Sequence, residues 1–328
     1  MMSATVRWTV AMFVVVGLFG FQTVCDGADK TAAAAPGVAS DRRVERFEFD
    51  SGTQLQQLIN DLNYMPEVWH AGNREVPRLY ITNIPPRWRD KTSKELDLMT
   101  KKRVFFRLLG PLVLHSNELI QADRDRVTLI IKALRAGAEV NPEDQAFLRE
   151  TAALYKVIEG EADLVDRALQ DRLLRRVDTL PPSLVLAQTA EESGWGTSRF
   201  AVEGNALFGM WTWGGKGVTP LQQRSGFGNY KIAYYESPLE SVIAYMHNLN
   251  THQAYQGLRK RRAELRKASA RVTGWELAKT LTSYSERGQA YVESLLSLMK
   301  VNKLQSTDDA YLGDGPTILL VPVGEGAN

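Results

Sequence analysis

Apolar residues recur at helical spacing over much of the chain after residue 90. In residues 91–178 the pattern predicts four helices, each with one apolar and one charged face. Ser93 is the predicted N-cap of the first helix, Asn141 opens the third, and the fourth is predicted from Ala162 to Arg176. The expected inward positions are Leu96, Met99, Phe106, Leu109, Ile120, Val127, Ile130, Ile131, Leu134, Phe147, Thr151, Leu154, Tyr155, Ile158, Val165, Leu169 and Leu173. We expect this helical region to pack on the helix that follows it.

The next predicted helix differs from the others because it is apolar on most sides. Its apolar residues are Leu184, Val185, Leu186, Ala187 and Ala190. Pro182 suits a first helical position, and Gly194 can supply the left-handed residue that ends a helix. A helix of this kind belongs inside a domain. We place it at the start of a domain that covers residues 179–302.

The composition changes after this helix. Residues 204–235 contain seven glycines and seven aromatic residues, which favours short strands and tight turns over a helix. We interpret this stretch as a small β-lobe. Aromatic rings stack on the apolar faces of sugars, so the lobe suits the wall of a polysaccharide groove. The wall candidates are Trp195, Asn205, Phe208, Trp211 and Trp213; the alternative is that most rings form the core of the lobe itself.

Helical patterns return after the β-lobe. The sequence from Ser237 to Glu240 is a capping box that opens one helix. Thr273 opens another, and Leu277, Leu281 and Tyr284 lie along one side of it. These helices belong to the same domain as the apolar helix.

The two ends of the globular part carry weaker signals. Residues 46–90 read as an irregular N-terminal segment with a short helix from Gly52 to Leu62 and a short strand from Leu79 to Ile81. Residues 303–328 read as a C-terminal tail, in which Thr317 to Val323 is either an added strand or merely part of the tail.

The extreme N-terminus has the features of a targeting segment. Arg7 precedes an uncharged apolar run from Trp8 to Phe21, which is shorter than the roughly 20 residues that a membrane-spanning helix needs. We expect residues 1–28 to be a secretory signal and the protein to be exported to the periplasm or cell envelope. The alternative is an uncleaved anchor that tethers the protein to the membrane. Residues 29–45 are predicted to be a flexible linker.

Charge and cysteine content exclude several kinds of partner. Lys and Arg number 40 against 38 Asp and Glu, an excess too small to indicate nucleic-acid binding. Cys25, the only cysteine, lies in the N-terminal segment, and His247 and His252 have no acidic cluster around them, so no metal or other cofactor is expected. The basic stretch from Leu258 to Arg271 is either a solvated helix or a surface that attracts an anionic polymer or membrane.

Glu192 is the residue whose position points to chemistry. It lies in the last turn of the apolar helix, close to Trp195. The exposed carbonyls of a helix end and an apolar neighbour both disfavour the ionised carboxylate, so the group can stay protonated near neutral pH and act as a general acid. From the residues alone two alternatives stay open: Glu191 is the inward acid, or the carboxylate is simply solvated or salt-bridged.

A longer stretch around Glu192 resembles a known family. The run AQTAEESGWGTSRFAVEGNALFG is similar to the signature of the glucosaminidase family, glycoside hydrolase family 73. Together with RVDTLPPSLVL before it and AYMHNLNTHQAY and LTSYSERGQAYV after it, the chain resembles the Bax-like branch of that family from about Thr92 to Asn302. The resemblance implies a mainly α (α+β), lysozyme-like fold, with a helical lobe, a small Gly- and aromatic-rich β-lobe and an additional helical region in front.

The resemblance also implies catalytic residues and a substrate. Glu192, immediately before S-G-W-G, matches the proton donor of the family, and Tyr284 matches a tyrosine that lies near the sugar and assists catalysis. A purely structural role is the alternative for Tyr284. The implied activity is that of a β-N-acetylglucosaminidase, which hydrolyses β-1,4 bonds in the glycan strands of peptidoglycan.

The chain departs from the family pattern in one respect. Many relatives carry a second Glu in the β-lobe, but residues 204–235 contain no Asp or Glu, and Glu203 and Glu236 only flank the lobe. Either one of these two acids swings in, or the acetamido group of the substrate acts as nucleophile with Glu192 as the lone acid, or activity has been lost. The alternative functions are therefore a lytic transglycosylase, which needs a single acid, and a non-catalytic wall-binding or scaffold protein.

Overall fold

The computed structural model describes residues 42–327, and the segments predicted as a signal or anchor at 1–28 and, for the most part, as a linker at 29–45 lie outside that range. Within it, no helix combines the length and the apolar character that crossing a membrane requires. The helices of the described part are α1 (Gly52–Asp61), α2 (Pro66–His70), α3 (Ser93–Glu95), α4 (Leu98–Arg135), α5 (Pro142–Leu154), α6 (Arg167–Arg176), α7 (Pro182–Ser193), α8 (Arg199–Gly204), α9 (Pro238–Thr251), α10 (Gln256–Lys267), α11 (Gly274–Ala278) and α12 (Gln289–Val301).

Short strands form three small sheets in the described part of the chain. The strands are β1 (Val44–Phe49), β2 (Glu75–Val76), β3 (Leu79–Ile81), β4 (Trp211–Thr212), β5 (Gly217–Val218), β6 (Lys231–Ala233), β7 (Tyr311–Leu312) and β8 (Thr317–Pro322). β4, β6 and β5 form an antiparallel sheet in that order, which is the predicted β-lobe. The mainly α fold with a separate small β-lobe is thus confirmed.

The N-terminal segment and the C-terminal tail form one parallel sheet. β8 is its central strand: Val44 of β1 pairs with Thr317, and Leu79 of β3 pairs with Ile318. The C-terminal stretch left open between a strand and a tail is therefore a strand, and its neighbours are β3, which has the predicted bounds Leu79–Ile81, and β1, which begins at Val44 in the predicted linker. The pairing of these strands is not predictable from the sequence, because the partners are far apart along the chain.

The first two predicted helices are one long helix. α4 runs through Pro111 without a break, and the sequence around that proline is buried. Asp97, not Ser93, is the N-cap; its carboxylate accepts hydrogen bonds from the backbone N–H groups of Met99 at 3.0 Å and Thr100 at 3.1 Å. The fourth helix likewise begins at Arg167 rather than near Ala162, because Asp166 caps it.

The helical region shares the core of the following domain. The first half of α4 places Phe105, Leu109 and Val113 in the same apolar cluster as α7. Its second half forms a separate cluster with α5 and α6. α4 therefore packs in both apolar clusters, and in the first of them it contacts α7 directly.

The basic stretch after residue 258 is used in part for contacts inside the protein. Arg262 is fully buried, and its guanidinium donates to the backbone carbonyls of Asp178 and Thr179 and lies 3.2 Å from the Asp178 carboxylate. Arg266 makes two bonds to the same carboxylate, at 2.7 and 2.6 Å, and Arg259 donates to the carbonyls at the end of α9. The stretch therefore holds helices together and does not present its full charge to an anionic partner.

One carboxylate of the C-terminal segment caps α7. Asp308 accepts hydrogen bonds from the backbone N–H and the hydroxyl of Ser183, both at 2.9 Å, and from the N–H of Gly274 at 3.1 Å. A Cβ atom at Gly274 would lie only 2.2 Å from the Ser183 hydroxyl, so the close approach of α11 to the start of α7 requires glycine at this position. Asp308 thus joins α7 to two segments that are distant in sequence.

Asp308→Ala is expected to lower the free energy of unfolding by about 2 kcal/mol, because it removes a helix cap and leaves buried donors without an acceptor. Asp309→Ala is the matched control. Its carboxylate pairs with Arg271 at the surface and should contribute less than about 1 kcal/mol. Urea denaturation of the two variants measures the difference, and equal effects would show that Asp308 is not a special anchor for α7.

Candidate active site

α7 is buried on all sides. Of its residues from Pro182 to Ser193, only Glu191 retains appreciable exposure. Pro182 occupies the first turn and Gly194 ends the helix with φ of 58°, as the sequence predicts. The helix carries its acidic residues to an end that is enclosed by α4, α9 and α12.

The structure distinguishes the two adjacent acids. Glu191 points outward, where its carboxylate pairs with Arg287 at 2.6 Å and accepts from the Ser294 hydroxyl at 3.1 Å. Glu192 points inward and is only 6% exposed. The inward acid is therefore the one that the sequence motif indicates.

The carboxyl group of Glu192 is held at one oxygen. Its Oε1 accepts a hydrogen bond of 2.8 Å from the Tyr291 hydroxyl. Its Oε2 has no hydrogen-bond partner among residues 42–327. Oε2 is nevertheless not enclosed, because Arg262 Nε is the only fully enclosed side-chain atom of the described residues without such a partner. One oxygen is thus anchored inside, and the other is unbonded and not fully enclosed.

Burial raises the pKa of Glu192 from its ordinary 4.5 to about 8. The hydrogen bond from Tyr291 lowers this pKa, the negative charge of Glu191 raises it, and the positive charge of Arg287 lowers it, but burial dominates. The side chain therefore carries a proton at neutral pH, as a general acid requires.

Trp195, which the sequence predicts as the apolar neighbour of Glu192, packs its ring against other residues. Trp195 has φ of 63°, and its ring packs edge-on against Phe105 at 5.5 Å and Phe106 at 5.3 Å. The Trp195 ring therefore belongs to the contact between α7 and α4. The apolar surroundings of Glu192 come instead from a group of tyrosines, and these are distant in sequence.

Tyr284 lies within this tyrosine group. Its ring is buried and stacks on that of Tyr291, with centroids 5.2 Å apart and an angle of 11°. The hydroxyl that binds Glu192 belongs to Tyr291, which sequence reasoning missed. A signal for it exists, since Tyr291 lies in the same family-like phrase and shares the buried face of α12 with Leu295.

Asn205 and Phe208 are packing residues in this structure. The Asn205 amide accepts from the Ile84 N–H at 3.1 Å and donates to the Tyr235 carbonyl at 3.0 Å. Phe208 is 2% exposed, and its ring lies flat on Tyr245 at 3.7 Å. Neither side chain presents a surface to a sugar.

The two predicted tryptophans of the β-lobe have different environments. Trp211 stacks on Tyr230 at 3.8 Å and contacts Phe227 edge-on, so it belongs to the core of the lobe. Trp213 is 60% exposed, and its indole N–H donates to the Phe227 carbonyl at 2.9 Å. Trp213 is therefore the wall candidate with ring surface available.

The acids that flank the β-lobe are each paired with a basic side chain, Glu203 within α8 and Glu236 with the lobe. Glu203 binds Arg199 at 2.9 Å, and Glu236 binds Lys216 at 2.9 Å. Among residues 42–327, Glu191 is the carboxylate whose charge affects Glu192. The structure thus presents Glu192 without a facing carboxylate partner in its described contacts.

The β-lobe and the helical lobe are joined on one side of this site. Arg224 of the β-lobe binds Glu286 at 2.7 Å, and Glu286 follows Tyr284 by two residues. The loop that leads into α12 therefore contacts both lobes.

Comparisons with known proteins cover this part of the chain. The model of the Glucosaminidase family, described as mannosyl-glycoprotein endo-beta-N-acetylglucosaminidase, matches residues 170–304. Protein bax of Escherichia coli (strain K12) is 36% identical over 203 residues, which cover 62% of this chain and 70% of that protein. The catalytic domain of the autolysin Auto from Listeria monocytogenes is 21% identical, with 54% of this chain and 93% of that domain covered and a TM-score of 0.32. The family match includes α7, the β-lobe and both tyrosines that stack beside Glu192.

The raised pKa of Glu192 predicts how stability depends on pH. In the unfolded chain this carboxyl ionises near 4.5, whereas in the folded protein it ionises near 8. Its ionisation therefore favours the unfolded chain, and the stability that its protonated form supports is lost as pH rises through that interval. The free energy of unfolding of Glu192→Gln, relative to that of the wild type, should therefore increase between about pH 5 and about pH 8. The total increase should be on the order of a few kcal/mol, and the difference should stay constant above about pH 8.

Denaturant unfolding of both proteins across this pH range measures the effect. Glu203→Gln is the control, because it changes a surface carboxylate that pairs with Arg199. Parallel stability curves for the wild type and Glu192→Gln would contradict the raised pKa.

Proposed function

The chain belongs to the glucosaminidase family, and we propose that it is a peptidoglycan hydrolase that cleaves β-1,4 bonds at N-acetylglucosamine. The observation that carries this proposal is the Glu192 carboxyl group. It holds a proton near neutral pH, with Oε1 bound to Tyr291 and Oε2 unbonded and not fully enclosed. A proton held in this way can be delivered to the oxygen that links two sugars.

The described contacts of Glu192 favour a mechanism with one protein carboxyl. The acetamido oxygen of the substrate attacks C1 of its own sugar while Glu192 donates its proton to the departing oxygen. This step breaks the glycosidic bond and forms a cyclic oxazoline-type intermediate. The Glu192 carboxylate then takes a proton from water, and the water oxygen bonds to C1 and reopens the ring. Tyr291 can donate to Oε1 throughout, which stabilises the carboxylate between the two steps.

We assign Tyr284 an assisting role in the same site. Its buried ring stacks on Tyr291, the residue that holds Glu192, so it supports the position of the acid. In the β-lobe, the exposed ring of Trp213 is suited to stack on a sugar.

We also propose that the protein is exported and meets its substrate in the cell envelope. The apolar run from Trp8 to Phe21 supports this location. The mass of the protein recovered from the envelope fraction distinguishes removal of residues 1–28 from their retention as a membrane tether.

Digestion of purified peptidoglycan tests the activity. Wild-type protein is expected to release soluble fragments with new reducing ends at N-acetylglucosamine. Glu192→Gln should lower the rate by about 100-fold to 10,000-fold, because the general acid is lost while the shape of the site is kept. Glu236→Gln is the control and should retain activity, since that carboxylate pairs with Lys216.

The masses of the fragments distinguish the proposed hydrolase from the alternatives. Hydrolysis adds one water for each bond cleaved, whereas a lytic transglycosylase yields internal anhydro sugars without added water. A protein that binds the wall but releases no fragments, and whose binding is unchanged in Glu192→Gln, would show a non-catalytic wall-binding module instead.

Trp213→Ala is expected to raise KM several-fold with little effect on stability, because the variant loses an exposed ring on which a sugar would stack but no core contact. Trp211→Ala is the matched change in the same strand region. It should lower the unfolding midpoint, because the Trp211 ring stacks on Tyr230 in the core of the lobe. Equal KM values for the wild type and Trp213→Ala would remove Trp213 from the substrate groove.

A further inference from the structure

A chain of four buried side chains ends at the proposed acid. The Tyr245 hydroxyl donates to Gln188 Oε1, Gln188 Nε2 donates to the Tyr291 hydroxyl oxygen at 3.0 Å, and the Tyr291 hydroxyl donates to Glu192 Oε1 at 2.8 Å. Gln188 and Glu192 are one turn apart on α7, whereas Tyr245 comes from α9 and Tyr291 from α12. Three helices therefore contribute to a single line of hydrogen bonds.

The direction of this chain determines which oxygen of Glu192 carries the proton. If every donor points toward Glu192, Oε1 accepts from Tyr291 and the acidic proton is left for Oε2, the oxygen that is unbonded and not fully enclosed. If the chain ran the opposite way, Glu192 would donate inward to Tyr291. Its proton would then be held where no substrate oxygen can meet it.

Tyr245 selects the first direction. Its hydroxyl is buried with the Gln188 amide as its hydrogen-bond partner among the described residues. With the Gln188 amide turned around, the Tyr245 O–H would face an N–H donor and lose its acceptor, which costs about 1–3 kcal/mol for a buried donor. The Gln188 amide is thus fixed with its N–H toward Tyr291, and Tyr291 must donate onward to Glu192.

We propose that Gln188 and Tyr245 are positioning residues for the acid: acting through Tyr291, they keep its hydroxyl donating to Glu192 Oε1 and leave the transferable proton on Oε2. This inference rests on the proposed function for its catalytic meaning, but the geometry of the chain is independent of any substrate.

The surrounding rings keep the two hydroxyls in line. Phe208 lies flat on Tyr245 with centroids 3.7 Å apart and an angle of 3°, and Tyr284 stacks on Tyr291. Phe208, a member of the family-like signature, therefore acts by holding the first ring of the chain. This is a use for that residue other than sugar contact.

The groups near Glu192 that can carry charge come from several elements. They are Glu191 on α7, Arg287 before α12, and the tyrosines Tyr245, Tyr255, Tyr284 and Tyr291. Burial raises the pKa values of all four tyrosines, so they stay neutral at physiological pH. Since these tyrosines carry no charge, Tyr245 can affect the pKa of Glu192 through the hydrogen bond that Tyr291 donates to it.

The test is a direct titration of Glu192 in the purified protein. Carbon-13 in the glutamate side chains reports ionisation by NMR, and the Glu192 signal is identified by its absence in Glu192→Gln. Tyr291→Phe should raise the titration midpoint by about one pH unit, a tenfold change in the ionisation constant, because the carboxylate loses its donor. Tyr245→Phe, which does not contact Glu192, should reproduce most of that rise, because the Gln188 amide is then free to turn and accept from Tyr291.

The double variant makes the coupling explicit. Tyr245→Phe combined with Tyr291→Phe should give the midpoint of Tyr291→Phe alone, since both changes break the same chain. Tyr255→Phe is the control: its ring belongs to the same buried group, and none of the chain's hydrogen bonds involves it. Its midpoint should equal that of the wild type.

An unchanged midpoint in Tyr245→Phe, with the fold shown intact by near-ultraviolet circular dichroism, would overturn the inference, as would fully additive shifts in the double variant. If Tyr245→Phe does not fold, Gln188→Leu replaces it. That variant is expected to raise the midpoint by a smaller amount, and no rise there would equally overturn the inference.

Activity provides a separate readout. In Tyr245→Phe, the alkaline limb of the pH dependence of kcat/KM on peptidoglycan should shift to higher pH, together with the NMR midpoint. A merely structural role would lower the rate without shifting this limb along the pH axis. If the wild type releases no fragments but the midpoint still rises in Tyr245→Phe, the proposed function fails and the positioning role stands.

Discussion

The structure depends on keeping one carboxyl group out of water. Glu192 sits on a helix that is buried along its whole length except at Glu191, and an acid in that position stays protonated near neutral pH because the charged form is poorly solvated. Burying a helix on every side requires contacts from all directions. Much of the remaining architecture is the set of elements that supply them.

These elements come from the whole described chain. α4 covers one side of α7 and extends into the second apolar cluster. Asp308 in the C-terminal segment caps the start of α7, while Asp178, bound by Arg262 and Arg266, ties the end of α6 to α10. β8, in the same C-terminal segment, pairs with β1 and β3, so the two ends of the described chain meet in one sheet. The helix that carries the buried acid is thus held by hydrogen bonds and ion pairs that come from other elements.

The β-lobe contributes to the site in two ways. Its inner rings, such as Trp211, stabilise the lobe, whereas the ring of Trp213 is exposed and is the one proposed to contact a sugar. The lobe supplies no carboxylate, and the acids at its borders are paired, Glu203 with Arg199 of α8 and Glu236 with Lys216 of the lobe. A mechanism in which the substrate provides its own nucleophile is consistent with this arrangement, because it requires from the protein only an acid whose proton faces outward.

The sequence by itself determined the features that depend on neighbouring residues. The period of apolar positions, Pro182 and Gly194 predicted α7 and both of its ends, and the glycines and aromatic residues after it predicted the β-lobe. These signals are local, because helix periodicity, caps and turns involve residues a few positions apart. Only the tertiary structure decided that Glu192 rather than Glu191 faces inward, that Tyr291 rather than Tyr284 binds it, and that the C-terminal stretch is the central strand of a sheet. Tyr291 is 99 residues from Glu192 and Asp308 is 125 residues from Ser183, and contacts over such distances are set by how helices pack rather than by any pattern along the chain.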